Sequence, residues 1–316
     1  MQMKLKRVGS GSNILGIFIA FVLLCVIMGF ASPVFLKVDN FLNVFQQVSI
    51  NFVVALGMSY VIISGGIDLS IGSNMAVVGL LMAMMMKAGV GVFPSILAGL
   101  LLSGIIGLLN GAMIAYLKLP PFITTLGMMY IARGFAYTIT GGQPVYTLPA
   151  SFTAISNRVM GVPLYTIIIM VVLLILCWYN LKYMRIGRNV FAIGGNEACA
   201  KLSGINTERL TFYTFVNMGV LAALAGMIIA ARLNSATPKA GVGFELDVIA
   251  ACFIGGASAS GGVGKIIGAV IGAFIMGVMN NGMSIMGIGI DYQQLIKGLV
   301  LLAAVFFDVY NKNKAV

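Results

Sequence analysis

Histidine is absent from all 316 residues, and only 9 % of them are Asp, Glu, Lys or Arg. Without histidine there is no imidazole metal site, no histidine general base and no Ser-His-Asp triad. The four cysteines, Cys25, Cys177, Cys199 and Cys252, are far apart with no Cys-x-x-Cys spacing. That leaves neither a zinc site nor a disulfide framework. Ordinary globular chains carry about 25 % charged residues. With 60 % of its residues drawn from AVILMFWYC, this chain cannot cover its own surface in water. Its solvent is lipid. The 40 glycines fit the same reading, because small residues let membrane helices approach closely. In a soluble protein the net charge of +11 would point to nucleic acid. Here it reads as the inner-loop anchoring of a membrane protein, with the lipid bilayer as partner and no nucleic acid.

A membrane-crossing helix needs about 20 mostly apolar residues. Ten runs qualify, at about 14–31, 43–64, 69–87, 94–116, 122–140, 164–181, 211–231, 245–262, 266–286 and 293–310. The expected fold is an all-α polytopic membrane protein, one transmembrane domain over 1–316. With the N-terminus inside, the inner segments hold Lys4, Lys6, Arg7, Lys118, Lys182, Arg185, Arg188, Lys201, Arg209, Lys265, Lys312 and Lys314, twelve of the 19 basic residues. This bias places both termini in the cytoplasm. Residues 105–113 and 275–283 share Ile, Gly, Asn and Met at a constant offset of 170. Five runs per half is an odd number, so the second copy would be upside down: an inverted repeat of spans 1–5 and 6–10, a common transporter plan.

Four stretches could carry more than packing. Ser64-Gly65-Gly66-Ile67-Asp68-Leu69-Ser70 reads as a glycine-ended helix followed by a turn, with Asp68 or Ser70 capping the next helix. The longest polar inner stretch, about 182–210, contains Gly194-Gly195-Asn196-Glu197 and ends near Ser203-Gly204. Asn196 is a good N-cap, Glu197 suits a first turn and Gly204 suits the C′ position, which predicts a helix of about two turns. So short a helix is marginal alone in water and needs something to pack against. The run from Gly255 to Lys265 resembles a phosphate loop, but Ala259 and Ile266 stand where a Walker A motif needs glycine and a hydroxyl. It reads instead as a tight connection, with Gly268 and Gly272 as a small-residue packing face. Within the runs, polar residues are chiefly Asn51, Asn74, Asn110, Thr124, Thr125, Asn217, Asn280 and Asn281. Each must find a hydrogen bond at depth, and interhelical bonding is the plain alternative to ligand contact. Arg133 is the one basic residue well inside a run, placed to snorkel outward or to pair with Glu245 or Asp247. No acidic residue stands at the centre of a run, as a proton relay would require.

Together, five stretches resemble the permease subunits of bacterial ABC importers for monosaccharides of the ribose/xylose/galactose type. They are Gly65–Gly72, Pro121–Gly127, Ala192–Ile205, Glu245–Ala251 and Gly261–Gly264, in that order over about 33–308. The resemblance implies a homodimeric or paired permease working with a cytoplasmic ATP-binding subunit and an extracytoplasmic sugar-binding protein. ATP is then hydrolysed by the partner, and this chain binds no cofactor and has no enzymatic activity of its own. The resemblance also implies that Gly195, Asn196, Glu197, Ala200, Leu202, Ser203 and Gly204 form the segment that docks on the ATPase. A path of neutral groups suits an uncharged sugar; its candidates are Asn51, Asn74, Asn110, Phe122, Thr124, Thr125, Asn280 and Asn281. The expected setting is the bacterial inner membrane. Two alternatives stay open: the same architecture importing nucleosides or a sugar-derived signal, and a secondary transporter driven by an ion gradient.

Overall fold

The computed structural model describes residues 12–313. Lys4, Lys6, Arg7 and Lys314, four of the cations that set the expected orientation, lie outside the described residues. In chain order the helices are α1 (Ser12–Ala31), α2 (Val38–Ile63), α3 (Ile71–Lys87), α4 (Val92–Ala115), α5 (Pro121–Thr140), a single turn α6 (Ala150–Thr153), α7 (Leu164–Tyr183), α8 (Arg185–Gly195), α9 (Glu197–Leu202), α10 (Thr207–Leu233), α11 (Phe244–Ile254), α12 (Ile266–Ile285) and α13 (Ile290–Asn313). Two short strands, β1 (Val145–Tyr146) and β2 (Ser235–Ala236), pair antiparallel with Val145 opposite Ala236.

Among the described residues seven helices are long and apolar enough to cross a membrane: α1, α2, α4, α7, α10, α12 and α13. Helix α3 is apolar but only 17 residues long. The expected run at 245–262 does not form one helix. It stops at Ile254, because Gly256 adopts φ +84° and Ala257 N–H returns to the carbonyl of Cys252. This is a Schellman ending. The 11 residues of α11 rise only about 16 Å, well short of a ~30 Å hydrocarbon core.

Burial runs opposite to soluble logic. The most apolar helix, α1, has no buried share in its spanning window, whereas α2, carrying Gln46, Ser49, Asn51 and Ser59, is 94 % buried in its own. Polar groups must face protein partners because lipid offers none. Helix α10 packs on α4, α2 and α3, and α2 packs on α12 and α11. Helices α3 and α5 join on one side, α11 and α13 on the other. The expected small-residue face of α12 is present: a Cβ at Gly268 would lie 1.9 Å from the carbonyl oxygen of Gly255, and one at Gly272 1.9 Å from that of Ala251.

Both short helices follow non-helical segments, residues 64–70 before α3 and 234–243 before α11. The first turn of α3 meets segment 234–243 inside the helical body. A Cβ at Gly72 would lie 2.1 Å from the carbonyl oxygen of Gly241, so backbone touches backbone there. Irregular backbone in lipid is tolerated only where protein surrounds it, and the helices these segments lead into are packed on several others: α3 on α4, α5 and α10, and α11 on α2, α12 and α13.

Candidate functional site

The short helix foreseen between the sixth and seventh runs is α9, and both of its ends close as its residues require. The Asn196 side chain accepts the backbone N–H of Cys199 at 2.9 Å. At the other end Gly204 takes φ +81°, Gly204 N–H bonds the carbonyl of Lys201 at 3.0 Å, and Ile205 N–H bonds that of Ala200 at 3.1 Å. Gly195, Asn196, Glu197, Leu202, Ser203 and Gly204 are exposed, and Leu202 stands 89 % exposed at the helix end. Ala200 differs from expectation: it is buried against the chain's own helices and cannot lie on a docking face. One turn of α9 has a single inward position, and Ala200 fills it.

Glu208, in the first turn of α10, accepts from Lys201 at 2.8 Å and from Lys118 at 3.2 Å. This brings α9, the α4–α5 turn and α10 together. The bond to Glu208 holds the Lys201 ammonium pKa above its ordinary value. Nothing in the sequence marked Glu208, since the three partners come from three separate segments. Beside α9, the amphipathic α8 buries Gly187, Val190 and Ile193 and leaves Arg185 and Arg188 outside.

The polar residues proposed for the path do not gather into one site. Around the segment 64–70, Asp68 accepts the backbone N–H of Ser70 at 2.8 Å and its hydroxyl at 2.6 Å. The Ser70 oxygen in turn accepts from Asn110 Nδ2 at 2.9 Å. Ser70 occupies the cap position of α3 without donating or accepting a side-chain cap bond; Asp68 organises the turn instead. Thr125 donates to the carbonyls of Ile67 and Pro121, so it braces the same segment. Around the second segment, Asn280 Nδ2 donates to Asp247 Oδ2 at 3.1 Å, and Lys297 Nζ pairs with the same oxygen at 2.8 Å. Of the two placements open to Arg133, pairing with Glu245 or Asp247 gives no salt bridge among the described residues. Its guanidinium donates to the carbonyls of Pro238 and Ala240, which unwound backbone leaves without helical partners.

The remaining candidates lie apart. Asn281 accepts from Asn40 at 3.1 Å, Thr124 bonds its own helix at Pro120, and Phe122 is 53 % exposed on α5. Asn51 is buried in α2. The Oδ1 atoms of Asn51, Asn74, Asn110 and Asn280 are buried without a hydrogen-bond partner among the described residues. Asp68 and Asp247, at the edges of the expected runs rather than at their centres, are buried acids, only 2 % and 3 % exposed, a burial the sequence did not reveal. Each nevertheless has structural partners, which accounts for its burial.

Against known proteins, the family model described as "branched-chain amino acid transport system / permease component" matches residues 40–305. The chain belongs to that family. Among curated relatives of this permease, the ribose import permease of Haemophilus influenzae is 41 % identical over 302 residues, covering 94 % of this chain and 93 % of the relative. The ribose import permease of Bacillus subtilis is 40 % identical over 297 residues, covering 93 % and 92 %. The galactose/methyl galactoside import permease of Haemophilus influenzae is 37 % identical over 318 residues, covering 94 % of each chain. No solved structure matches. Membership and seven apolar helices together make this a multi-pass inner-membrane permease.

Proposed function

We propose that this permease is the membrane subunit of an ATP-driven importer for a neutral monosaccharide, ribose-like or galactose-like, with α9 as the docking helix for a separate ATP-binding subunit. The observation that carries the reading is α9 itself. It is six residues long, capped at both ends, held by Ala200 and Glu208, and projects Leu202 outward. A helix this short with so little of its own packing fits a partner's groove better than it fits open water. The printed names of the relatives supply the substrate class, and a sugar-binding protein would deliver the substrate. ATP chemistry belongs to the partner, because the run from Gly255 to Lys265 lacks the phosphate-loop pattern.

The finer architecture of the proposal is ten passes with both termini inside. Segments 64–70 with α3, and 234–243 with α11, each make one pass that is part extended and part helical. An inverted repeat is supported by the matched positions at offset 170. Asn110 serves the start of α3, and Asn280 serves α11 through Asp247. Gly107 lies against α10 at Phe215 and Gly219, while Gly277 lies against α2 at Val48. In a duplicated fold α10 and α2 are equivalent helices, so each repeated residue meets the counterpart of the other's partner. A second copy completes the assembly as a homodimer.

Cys199 provides the test, because it is exposed on α9 while Cys25 is half-buried and Cys177 and Cys252 are buried. A membrane-impermeant maleimide should label Cys199 in inside-out vesicles, and the added ATP-binding subunit should protect it. Gly204→Val should weaken that protection, because a β-branched residue resists the left-handed conformation that closes α9. Labelling from the outer side would overturn the orientation. Full labelling in the presence of a demonstrably bound ATPase would move the docking site off α9.

A further inference from the structure

Turns carrying three glycine pairs that are remote in sequence converge at the end of α8, just before α9. The pairs are Gly65–Gly66 at the end of α2, Gly194–Gly195 at the end of α8, and Gly261–Gly262 in the turn after α11. The Gly262 N–H donates to the carbonyl of Ile63 at 2.9 Å. A Cβ at Gly194 would stand 1.7 Å from that same Ile63 oxygen and 2.5 Å from Gly262 N. A Cβ at Gly261 would stand 2.8 Å from the Gly194 oxygen and 3.0 Å from Gly65 Cα. One at Gly262 would stand 2.7 Å from Gly195 Cα. The contact is backbone on backbone, with no side chain between to yield by changing rotamer.

We propose that this glycine junction transmits displacement of α9 at once to the leading end of α3 and the trailing end of α11, with Gly194 as the positioning residue. The inference rests on the reading of α9 as the docking helix. The connectivity carries it. Only Asn196 separates the end of α8 from α9. From Ile63 the chain runs through 64–70 to Asp68, Ser70 and α3; the turn at 261–264 connects α11, which carries Asp247, to α12. A push on α9 therefore reaches the leading end of α3 and the trailing end of α11 through one rigid contact. Close-packed interiors pass strain on rather than absorb it. The other ties of α9 are softer: the Lys201–Glu208 and Lys118–Glu208 pairs have exposed lysines and yield to solvent and salt.

The test uses the whole complex of permease, ATP-binding subunit and sugar-binding protein. In a Gly194→Ala variant that assembles with the ATPase and sustains ATP hydrolysis, sugar uptake per ATP should fall by roughly ten-fold or more. Gly104→Ala, whose added Cβ meets nothing within 4 Å, should leave that ratio unchanged. Because only transmission moves uptake per ATP, a merely structural defect would lower both quantities together. Unchanged uptake per ATP in Gly194→Ala would overturn the proposal.

Should Gly194→Ala not assemble, backbone hydrogen exchange on the wild-type complex decides the matter. Addition of ATP should alter exchange in 194–204, 64–70 and 256–264 together. A response in 194–204 with none in the other two segments would overturn the junction and leave docking intact. No response in 194–204 while the complex hydrolyses ATP would overturn the docking reading, and the junction with it.

Discussion

Replacing Asp247 with alanine is expected to destabilise the membrane domain by about 3–5 kcal/mol, the range for removing one partner of a buried ion pair. Asp247 is 3 % exposed, and its Oδ2 is the shared acceptor of Lys297 and Asn280. Without it the Lys297 ammonium faces a low-dielectric site with no counter-charge, and the Asn280 Nδ2 group loses its acceptor. The pair also joins α11 to α13, which packs mainly on α11. Thermal unfolding in detergent should show the midpoint fall by roughly 10 °C, extending to this longer chain the about 2–4 °C per kcal/mol of domains of about 150–250 residues. The double variant Asp247→Ala with Lys297→Met should recover most of the loss, because an apolar pair of similar volume removes the stranded charge. A single variant as stable as wild type would mean that water reaches the pair freely. Failure of the double variant to recover would assign the loss to Asn280 or to packing instead.

Gly72→Val should prevent the first turn of α3 from seating against segment 234–243 and α11. The first added carbon would lie 2.1 Å from the Gly241 carbonyl oxygen and 2.5 Å from Glu245 Oε2. Overpacking a core costs typically about 1–3 kcal/mol when side chains can shift, and here the obstacle is backbone. The variant should therefore reach the membrane in low yield and aggregate on extraction, and Gly72→Ala should show a milder form of the same defect. Gly127→Ala is the matched comparison: it sits in α5 with nothing within 4 Å of the added carbon. There alanine should be neutral or stabilising by about 0.5–1 kcal/mol through its helix propensity. Size-exclusion profiles of the three variants separate the outcomes, and a monodisperse Gly72→Val would contradict the backbone contact.

The helices were largely readable because lipid imposes one rule, an apolar run about 20 residues long; nine of the ten runs form helices within a few residues of the expected bounds, and seven helices among the described residues are long and apolar enough to cross a membrane. The run at 245–262 misled because apolar length was counted across Gly255–Gly256, where the backbone turns back on itself. The ends of α9 were readable for a different reason: Asn196 and Gly204 act on groups three or four residues away, so local sequence contains the whole cause. Its inward face was not, since Ala200 is defined by what α9 packs on. The same limit hid Asp247. Its partner Lys297 is fifty residues downstream, and no periodicity links a charge in α11 to one in α13. Asn40 with Asn281, Arg133 with two carbonyls, and the three glycine pairs are likewise products of tertiary folding. Residue type marked these positions as costly to bury; only the fold shows how each cost is met.

The most direct test of the account is sugar uptake into proteoliposomes holding this permease and its ATP-binding subunit, with the sugar-binding protein outside and ATP inside. Radiolabelled ribose or galactose should accumulate only when all three proteins and ATP are present, and a non-hydrolysable ATP analogue should stop it. Accumulation by the permease alone under a proton or sodium gradient, undiminished without ATP, would contradict it.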